Sequence, residues 1–379
     1  MPFINSIFLG VIALFFNLNA ISQTPIANAK ALSANLLIGT YTQSGSKGIY
    51  VFNFDTTTGK AIELSHTNGS NNPEYLTITK DKQFVYAVNE TKDGMIAAYS
   101  FKNNKLDLLQ LKSVKSADPC YITLSPDERN IFVANYTGGS ITQFHRFADG
   151  LISNAQQFVQ HNGKSINPIR QEKAHVHGAF FSPNGDFLLT PDLGMDQVKI
   201  YPYNSNNSTP LNIATAKTIN SKPGAGPRHI TFSKNGKYLY VIEELSGSIS
   251  VYQFDKGNTL FMQTVYTHEL DFKGSPGSAD IHVSPDGNYL YASNRGEENN
   301  IAKFPILANG KLDQQKLKLF STLGKKPRNF TISNDGNWLL VANQDTDNII
   351  IYKINKANGD LINTGNSISV PMPVCLVMF

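Results

Sequence analysis

Charge, cysteine and long apolar runs are all scarce in this chain of 379 residues. Only 16% of the residues are charged, and Lys and Arg number 33 against 29 for Asp and Glu, which is too dilute an excess for a nucleic-acid-binding surface. The two cysteines, Cys120 and Cys375, form neither a CxxC metal pair nor a disulfide framework. Because 41% of the residues are hydrophobic and 11% aromatic, a folded protein is nevertheless predicted.

An apolar run from Ile7 to Phe16 is the only candidate for membrane insertion near the N-terminus. It is shorter than the ~20 residues that a membrane-spanning helix needs, and no cysteine follows it to carry a lipid anchor. The run resembles the apolar core of a secretory signal, with small-residue cleavage sites that end at Ala20 or Ala29. We therefore predict a signal peptide over residues 1–29, export to the periplasm or the medium, and one domain over residues 30–379.

An internal repeat dominates the rest of the chain. Six copies share a pattern that starts at a proline or its equivalent, alternates apolar and polar residues, turns at Ser-Pro-Asp-Gly and alternates again before an Asn. Alternation on both sides of such a turn predicts a β-hairpin. The copies lie roughly 50 residues apart, and their Ser or Thr anchors are Thr79, Ser125, Ser182, Ser233, Ser284 and Ser333.

Each hairpin is followed by a third apolar strand and a looser fourth one, which is the pattern of a β-propeller blade. Residues 36–65 lack a first strand, whereas residues 373–379 look like a first strand alone. These two pieces together predict a seventh blade, shared by both ends of the chain, that leaves no open sheet edge. The predicted fold is all-β: a seven-bladed β-propeller with four-stranded antiparallel blades.

Two positions of the repeat break its apolar pattern. The third and fifth residues after the proline are apolar in every copy, but the first one, which we expect on the same face, is often charged. The residue after the second strand is equally irregular. Because the first strand starts beside the end of the second, both positions meet at one mouth of the channel. This mouth collects His177, Arg228, Arg295, Arg328, Glu74, Glu90 and Glu244.

The copies resemble the lactonase family, the 6-phosphogluconolactonase type of seven-bladed propeller, which also includes carboxymuconate lactonizing enzymes. The most specific stretch runs from Asn167 to His177, followed by the blocks Gly226-Pro227-Arg228-His229 and Ser293-Asn294-Arg295-Gly296. The resemblance implies an active site of one His, two Arg and one Glu. These carry over to His177 or His175, Arg228, Arg295, and Glu244 or Glu243.

The predicted function is hydrolysis of a sugar-acid lactone by direct water attack, because no GxSxG nucleophile motif occurs. Glu244 or His177 is the candidate base, Arg228 stabilises the oxyanion, and Arg295 with Arg328 holds an anionic group. The predicted catalytic residues are His177, Arg228, Glu244 and Arg295, and the predicted substrate-binding residues are His175, Arg328, Glu90, Glu243 and Arg170.

Neither a cofactor nor a metal is predicted, although the spacing of His175 and His177 is compatible with a metal. The expected partner is a small lactone or sugar acid, and neither a nucleic acid nor a membrane span is expected. The sequence leaves the oligomeric state open. It also leaves two other functions open: a cycloisomerase that uses the same arginines, and a non-catalytic exported propeller that binds a ligand or a protein.

Overall fold

The computed structural model describes residues 1–3 and 33–379. Residues 33–379 form seven four-stranded sheets in which all neighbouring strands are antiparallel. The first strands of most neighbouring blades contact one another, and blade 4 contacts the first strand of blade 5 through its second strand. The predicted seven-bladed β-propeller is therefore confirmed.

The strands are numbered along the chain, four to a blade. Blade 1 contains β1 (Ser33–Thr40), β2 (Tyr50–Asp55) and β3 (Ala61–His66). Blade 2 contains β4 (Pro73–Ile78), β5 (Phe84–Asn89), β6 (Met95–Lys102) and β7 (Lys105–Ser113). Blade 3 contains β8 (Pro119–Leu124), β9 (Asn130–Asn135), β10 (Ser140–His145) and β11 (Gln157–Gln160). Blade 4 contains β12 (Phe180–Phe181), β13 (Phe187–Asp192), β14 (Gln197–Pro202) and β15 (Lys217–Asn220).

The remaining strands follow the same order. Blade 5 contains β16 (Pro227–Phe232), β17 (Tyr238–Glu243), β18 (Ser248–Asp255) and β19 (Asn258–Tyr266). Blade 6 contains β20 (Ser278–Val283), β21 (Tyr289–Asn294), β22 (Asn300–Pro305) and β23 (Lys318–Ser321). Blade 7 contains β24 (Pro327–Ile332), β25 (Trp338–Asn343), β26 (Asn348–Ile354) and β27 (Leu361–Ser369). Two single turns of 3-10 helix cover Gln314–Lys316 and Gln344–Thr346, and the last strand is β28 (Pro373–Met378).

Blade 1 is completed by the last strand of the chain. β28 pairs with β1, with Ile38 opposite Leu376, and so it takes the place that the first strand holds in the other blades. The predicted closure by both ends of the chain is confirmed. Trp338 of blade 7 also holds the neighbouring blade 1 in place. Its ring packs edge-on against Phe54, and its indole N–H donates to Thr56 O at 2.9 Å.

The serine anchor of the repeat fixes the hairpin turn. In blade 6 the Ser284 hydroxyl donates to Asp286 Oδ1 at 2.5 Å and accepts from the Tyr289 N–H at 3.0 Å. The Gly287 N–H donates to Ser284 O at 2.8 Å. Side-chain bonds of this kind stabilise tight turns, and the other five copies make them from Thr79, Ser125, Ser182, Ser233 and Ser333.

The apolar columns of the repeat pack between neighbouring blades rather than within one sheet. The cluster between blades 5 and 6 shows this, because Ile242 and Val251 of blade 5 pack with Ile281 and Leu290 of blade 6, all buried. Burial of apolar surface on both faces of every blade is the main source of stability for such a ring.

A one-residue register shift, typical of a β-bulge, occurs near the start of the first strand in every blade. In blade 2, Pro73 pairs with Asn89 but Tyr75 pairs with Val88, so Glu74 is an extra residue. The same one-residue shift occurs in the other six blades. The expectation that this residue continues the alternation of the strand is therefore wrong, because a bulge adds a residue and re-aims its side chain.

The predicted signal peptide falls mostly outside the described residues, since both cleavage sites lie between residues 4 and 32. In the part of the chain that the structure describes, no helix is long and apolar enough to cross a bilayer.

Candidate active site

Two rings of residues meet at one mouth of the channel. The bulge position contributes Val374, Glu74, Cys120, His177, Arg228, Ala279 and Arg328. The exit position, directly after the second strand of each blade, contributes Tyr41, Glu90, Tyr136, Leu193, Glu244, Arg295 and Gln344. In every blade the N–H of the exit residue donates to the carbonyl of the residue just before the first position of the repeat, at 2.7–3.1 Å. This shared hydrogen bond holds the exit residue beside the bulge residue of its own blade.

Blade 5 shows how the local sequence produces this arrangement. The Glu244 N–H donates to Gly226 O at 2.7 Å, and Gly226 has a φ of 70°, a value that favours glycine. A Cβ at this position would also lie 2.7 Å from Leu245 Cγ. Gly226 therefore allows Arg228 and Glu244 to lie side by side.

The first charged group, which we call the Glu244 cluster, consists of Glu244, Arg170, Arg228 and Arg295. Arg170 Nη2 donates to Glu244 Oε1 at 2.6 Å. Arg228 Nε and Arg295 Nη2 lie 3.1 and 2.7 Å from Glu244 Oε2, although neither contact has the angles of a hydrogen bond. Three guanidinium groups thus surround one buried carboxylate and leave an excess of positive charge.

This positive excess determines the protonation of the cluster. Although burial opposes it, the charges of Arg295, Arg228 and Arg170 lower the pKa of Glu244 to about 2. Burial lowers the pKa of Arg295 to about 10, against the charge of Glu244. Glu244 and Arg295 are therefore both charged near neutral pH, and the arginine-rich cluster can attract an anion.

The second charged group, the Arg328 cluster, consists of Arg328, Glu74, Glu90 and Tyr41. Arg328 donates to Glu74 Oε1 through Nε at 2.9 Å and Nη2 at 2.6 Å, and its Nη2 lies 3.8 Å from Glu90 Oε2. The guanidinium group sits over the Tyr41 ring, 5.5 Å from its centroid, and the Tyr41 hydroxyl donates to Glu90. One cation therefore contacts two carboxylates.

Glu74 has the opposite electrostatic environment to Glu244. It is almost fully buried, and its Oε2 has no hydrogen-bond partner among the described residues. Burial, and then the charge of Glu90, raise the pKa of Glu74 to about 8 against the charge of Arg328. Glu74 therefore binds a proton more tightly than an ordinary carboxylate.

His177 is a buried, neutral imidazole at the mouth. Burial, and then the charge of Arg228, hold the pKa of His177 well below its ordinary value. Its Nδ1 lies 3.8 Å from Cys120 Sγ, and Tyr136 packs edge-on against the ring at 5.3 Å. Within residues 33–379, no hydrogen bond engages its Nε2, so this nitrogen can serve a water or a substrate.

Two predicted binding residues, His175 and Glu243, are held by other protein groups. His175 Nδ1 contacts Tyr136 O at 3.1 Å and its Nε2 contacts both Glu172 carboxylate oxygens at 3.2 Å, so both ring nitrogens are engaged by protein atoms. Glu243 accepts from the Ser248 and Ser250 hydroxyls at 2.5 and 3.1 Å. It lines a separate cavity of about 600 Å³, because successive residues of a strand face opposite sides. The structure therefore does not bring Glu243 together with Glu244 at the mouth.

The remaining predicted residues, His177, Arg228, Glu244, Arg295, Arg328, Glu90 and Arg170, all lie in or beside the two clusters. The structure adds Glu74 as the main partner of Arg328 and Tyr41 as the support below it. Tyr41 ends the half-blade at the start of the chain, so extending the exit column into that half-blade would have found it. In residues 33–379 no three His, Cys, Asp or Glu side chains are grouped to hold a metal ion.

The fold and this mouth define a seven-bladed propeller with an arginine-rich site at the end of its channel. The family model described as "Lactonase, 7-bladed beta-propeller" matches residues 35–378, and the chain belongs to that family. A 6-phosphogluconolactonase of Formosa agariphila is 35% identical over 91% of this chain and 99% of its own length. A 6-phosphogluconolactonase of Bacillus subtilis is 31% identical over 89% and 96%.

A solved structure is similar to this protein in its fold as well as in its sequence. The periplasmic gluconolactonase of Pseudomonas aeruginosa superposes with a TM-score of 0.85 at 32% sequence identity, covering 91% of this chain and 99% of that one. These relatives support a lactone-hydrolysing enzyme, and none of them favours the cycloisomerase or the non-catalytic alternative.

Proposed function

We propose that the protein hydrolyses a sugar-acid lactone at the mouth of its channel. The observation that carries this proposal is the Glu244 cluster, in which three guanidinium groups share one carboxylate. In lactone hydrolysis a water oxygen bonds to the carbonyl carbon, negative charge develops on the carbonyl oxygen, and the ring C–O bond then breaks to give a hydroxy acid. Fixed cations at the developing oxyanion are the largest source of rate enhancement in such reactions.

His177 is the base in this proposal, and Glu244 is the group that holds the arginines. Both carboxylate oxygens of Glu244 contact arginines, and a pKa of about 2 gives this group little tendency to accept a proton. Burial and the charge of Arg228 also lower the pKa of His177, but its Nε2 is unengaged within residues 33–379 and so can accept a proton from a water. Arg228 and Arg295 then stabilise the oxyanion, and His177 returns the proton that it took from the water to the alkoxide that leaves.

Substrate binding falls to the more exposed groups in this proposal. Arg170 reaches the mouth from the segment before blade 4, and its side chain is 41% exposed, whereas that of Arg228 is only 2% exposed. A guanidinium group in this position can pair with the hydroxyls or the anionic tail of a sugar acid. Arg328 and Glu90 form the opposite side of the mouth.

Gluconolactone and its 6-phosphate are the two substrates to compare first, since the named relatives include 6-phosphogluconolactonases and a gluconolactonase. We expect the purified protein to hydrolyse at least one of them well above its spontaneous rate, with a chelator present. The Arg228→Ala variant is the matched control. Spontaneous rates for both lactones, with the wild-type protein and the variant alike, would contradict the proposal.

We also propose that the chain is exported. The apolar run Ile7 to Phe16 and the small residues at Ala20 and Ala29 support a cleaved leader, and the first strand begins at Ser33, after both sites. The similar protein of Pseudomonas aeruginosa is described as periplasmic. N-terminal sequencing of the protein from cells should start after residue 20 or residue 29. A product that begins at Met1 would reject export.

A further inference from the structure

A line of buried polar groups runs from the Glu244 cluster into the channel. Arg228 Nη1 lies 3.3 Å from His229 Nε2, and His229 Nδ1 lies 2.9 Å from Asp280 Oδ1. Arg228, His229 and Asp280 are each 2% exposed. The lactonase mechanism proposed above uses Arg228 but has no role for the two groups behind it.

The hydrogen-bond donors around Asp280 show that it is ionised. Its Oδ1 accepts from the Ile281 N–H at 3.0 Å, and its Oδ2 accepts from Asn329 Nδ2 at 2.6 Å and contacts His282 Nε2 at 3.0 Å. Although burial opposes it, the charge of His282 and the hydrogen bond from His229 hold the pKa of Asp280 well below its ordinary range. An ionised carboxylate can only accept, so Nδ1 of His229 must carry a proton.

His229 is therefore an acceptor on its other side. Burial, and then the charge of Arg228, lower the pKa of His229 to about 4, so the ring is neutral near neutral pH and its Nε2 has no proton. Four rings, of Tyr75, Tyr121, Phe180 and His177, pack around the imidazole at centroid distances of 5.3–6.1 Å. Among the described residues, Arg228 Nη1 is the donor that faces Nε2.

We propose that Asp280 and His229 are positioning residues that fix the Arg228 guanidinium group for oxyanion stabilisation, an inference that rests on the lactonase function proposed above. Arg228 Nη1 is held between His229 Nε2 and Ala279 O, the latter at 2.6 Å. Its Nε faces Glu244, so Nη2 is the amino group that can meet the substrate. A guanidinium group that is already held on two sides does not have to reorient when negative charge develops on the substrate oxygen.

Asp280→Asn tests the proposal without a change of size. The Asn amide can donate to Nδ1, which moves the His229 proton to Nε2 and sets an N–H against the N–H of Arg228, as happens when the orienting Asp of a catalytic triad is replaced. We expect kcat to fall by about 10- to 100-fold, the loss that is typical when the hydrogen-bond partner of a metal-binding histidine is replaced, with KM within about threefold. An unchanged kcat would overturn the proposal.

Two substitutions of His229 separate the two contacts of its ring. His229→Gln can place an amide oxygen where Nε2 was and so keep an acceptor for Arg228, whereas His229→Asn keeps only a donor for Asp280. We expect His229→Gln to retain clearly more kcat than His229→Asn. The reverse order would overturn the proposal.

A double variant distinguishes positioning from general destabilisation. In an Arg228→Lys background, the guanidinium group that His229 holds is absent. We therefore expect Asp280→Asn to lower kcat by less than about twofold further in that background. The same loss in both backgrounds would mean that Asp280 acts independently of Arg228, which contradicts the proposal.

His161 provides a matched control for loss of a buried histidine. Its Nδ1 lies 2.8 Å from Asp192 and its Nε2 lies 2.8 Å from the Tyr201 hydroxyl, so it pairs with a buried carboxylate but with no arginine among the described residues. We expect His161→Gln to lower the melting temperature but to leave kcat within about twofold of the wild type. If it lowers kcat as much as His229→Asn does, the positioning role is excluded.

The tautomer of His229 gives a readout that needs no substrate. In long-range ¹H–¹⁵N spectra of protein with ¹⁵N-labelled histidine, assigned with the help of His229→Gln, we expect a proton on Nδ1 in the wild type and on Nε2 in Asp280→Asn. A proton on Nε2 in the wild type would overturn the positioning network. A wild-type protein that hydrolyses no lactone but shows the Nδ1 proton would instead overturn the proposed function.

Discussion

The two charged clusters at the mouth use the same residue types in opposite proportions. In the Glu244 cluster three arginines surround one carboxylate, whereas in the Arg328 cluster two carboxylates share one arginine. Both carboxylates, Glu244 and Glu74, are buried in the same ring structure, yet the pKa of the first is about 2 and that of the second about 8. Because burial raises the pKa of both carboxylates, the opposite balance of neighbouring charges accounts for the difference between them.

The largest expected effect comes from removing one arginine from each cluster. Arg228→Ala removes a cation that faces the developing oxyanion and should lower kcat on the order of 100-fold or more. Arg328→Ala should mainly raise KM, because Arg328 is assigned to the side of the mouth that holds the substrate. Steady-state kinetics on the better of the two lactones measures both. Equal losses of kcat would contradict the assignment of Arg228 to oxyanion stabilisation and of Arg328 to substrate binding.

The choice of base is the next test. His177→Ala removes the candidate base and should lower kcat on the order of 100-fold. Glu244→Gln should lower kcat less but reduce the melting temperature more, because three guanidinium groups, one of them fully buried, lose their shared partner. If Glu244→Gln is inactive while His177→Ala stays fully active, the base is Glu244. The low pKa of Glu244 would then be a poor guide to its role in the reaction.

The pH dependence of stability should have opposite signs for the two carboxylates. The pKa of Glu244 is lower in the folded than in the unfolded protein. Its contribution to the free energy of unfolding is therefore lost as pH falls from about 4 to about 2. The pKa of Glu74 is raised by folding, so its contribution is complete below about pH 4 and is lost as pH rises through about 8.

Melting temperatures measured across this pH range for two variants test these signs. Glu244→Gln should flatten the acid side of the curve, and Glu74→Gln should flatten the decline between about pH 4 and pH 8. Variants that leave the shape of the curve unchanged would show that neither carboxylate has the shifted pKa given above.

Tyr41→Phe should have the smallest effect. The ring remains below the Arg328 guanidinium group, and only the hydrogen bond to Glu90 is lost, which is worth about 1 kcal/mol in a folded protein. We expect a change in KM of less than about fivefold and an unchanged kcat. Tyr41→Leu, which also removes the aromatic face, is the comparison, and a larger effect from the Phe variant would contradict the stacking role of Tyr41.

The repeat was sufficient to predict the seven blades and their closure, because each copy carries its own turn and its own apolar columns. It also brought Arg228, Glu244 and Arg295 together, since their positions in the repeat are fixed relative to the channel. Pairing across the ring was not predictable, because Arg328 and Glu74 are separated by 254 positions and equivalent positions hold unrelated residues in the other blades. The bulge was missed because alternation was assumed to run unbroken along the first strand.

The positioning network was missed for a related reason. His229 and Asp280 occupy the same position in neighbouring blades, the second residue after the first position of the repeat, where the other blades have Tyr75, Tyr121, Gly178, Asn329 and Cys375. Such a mixed column has no pattern of its own. Its meaning appears only when side chains from adjacent blades are placed within hydrogen-bonding distance.

The bulge in each first strand also makes the propeller adaptable. Because one extra residue per blade faces the mouth, a substitution there leaves the apolar columns between the blades in register. Ala279 and Val374 are bulge residues with small apolar side chains, and they lie in blades that flank charged ones. Substrate specificity can therefore change through substitutions at this one position of the repeat, provided that each new side chain fits the buried space around it.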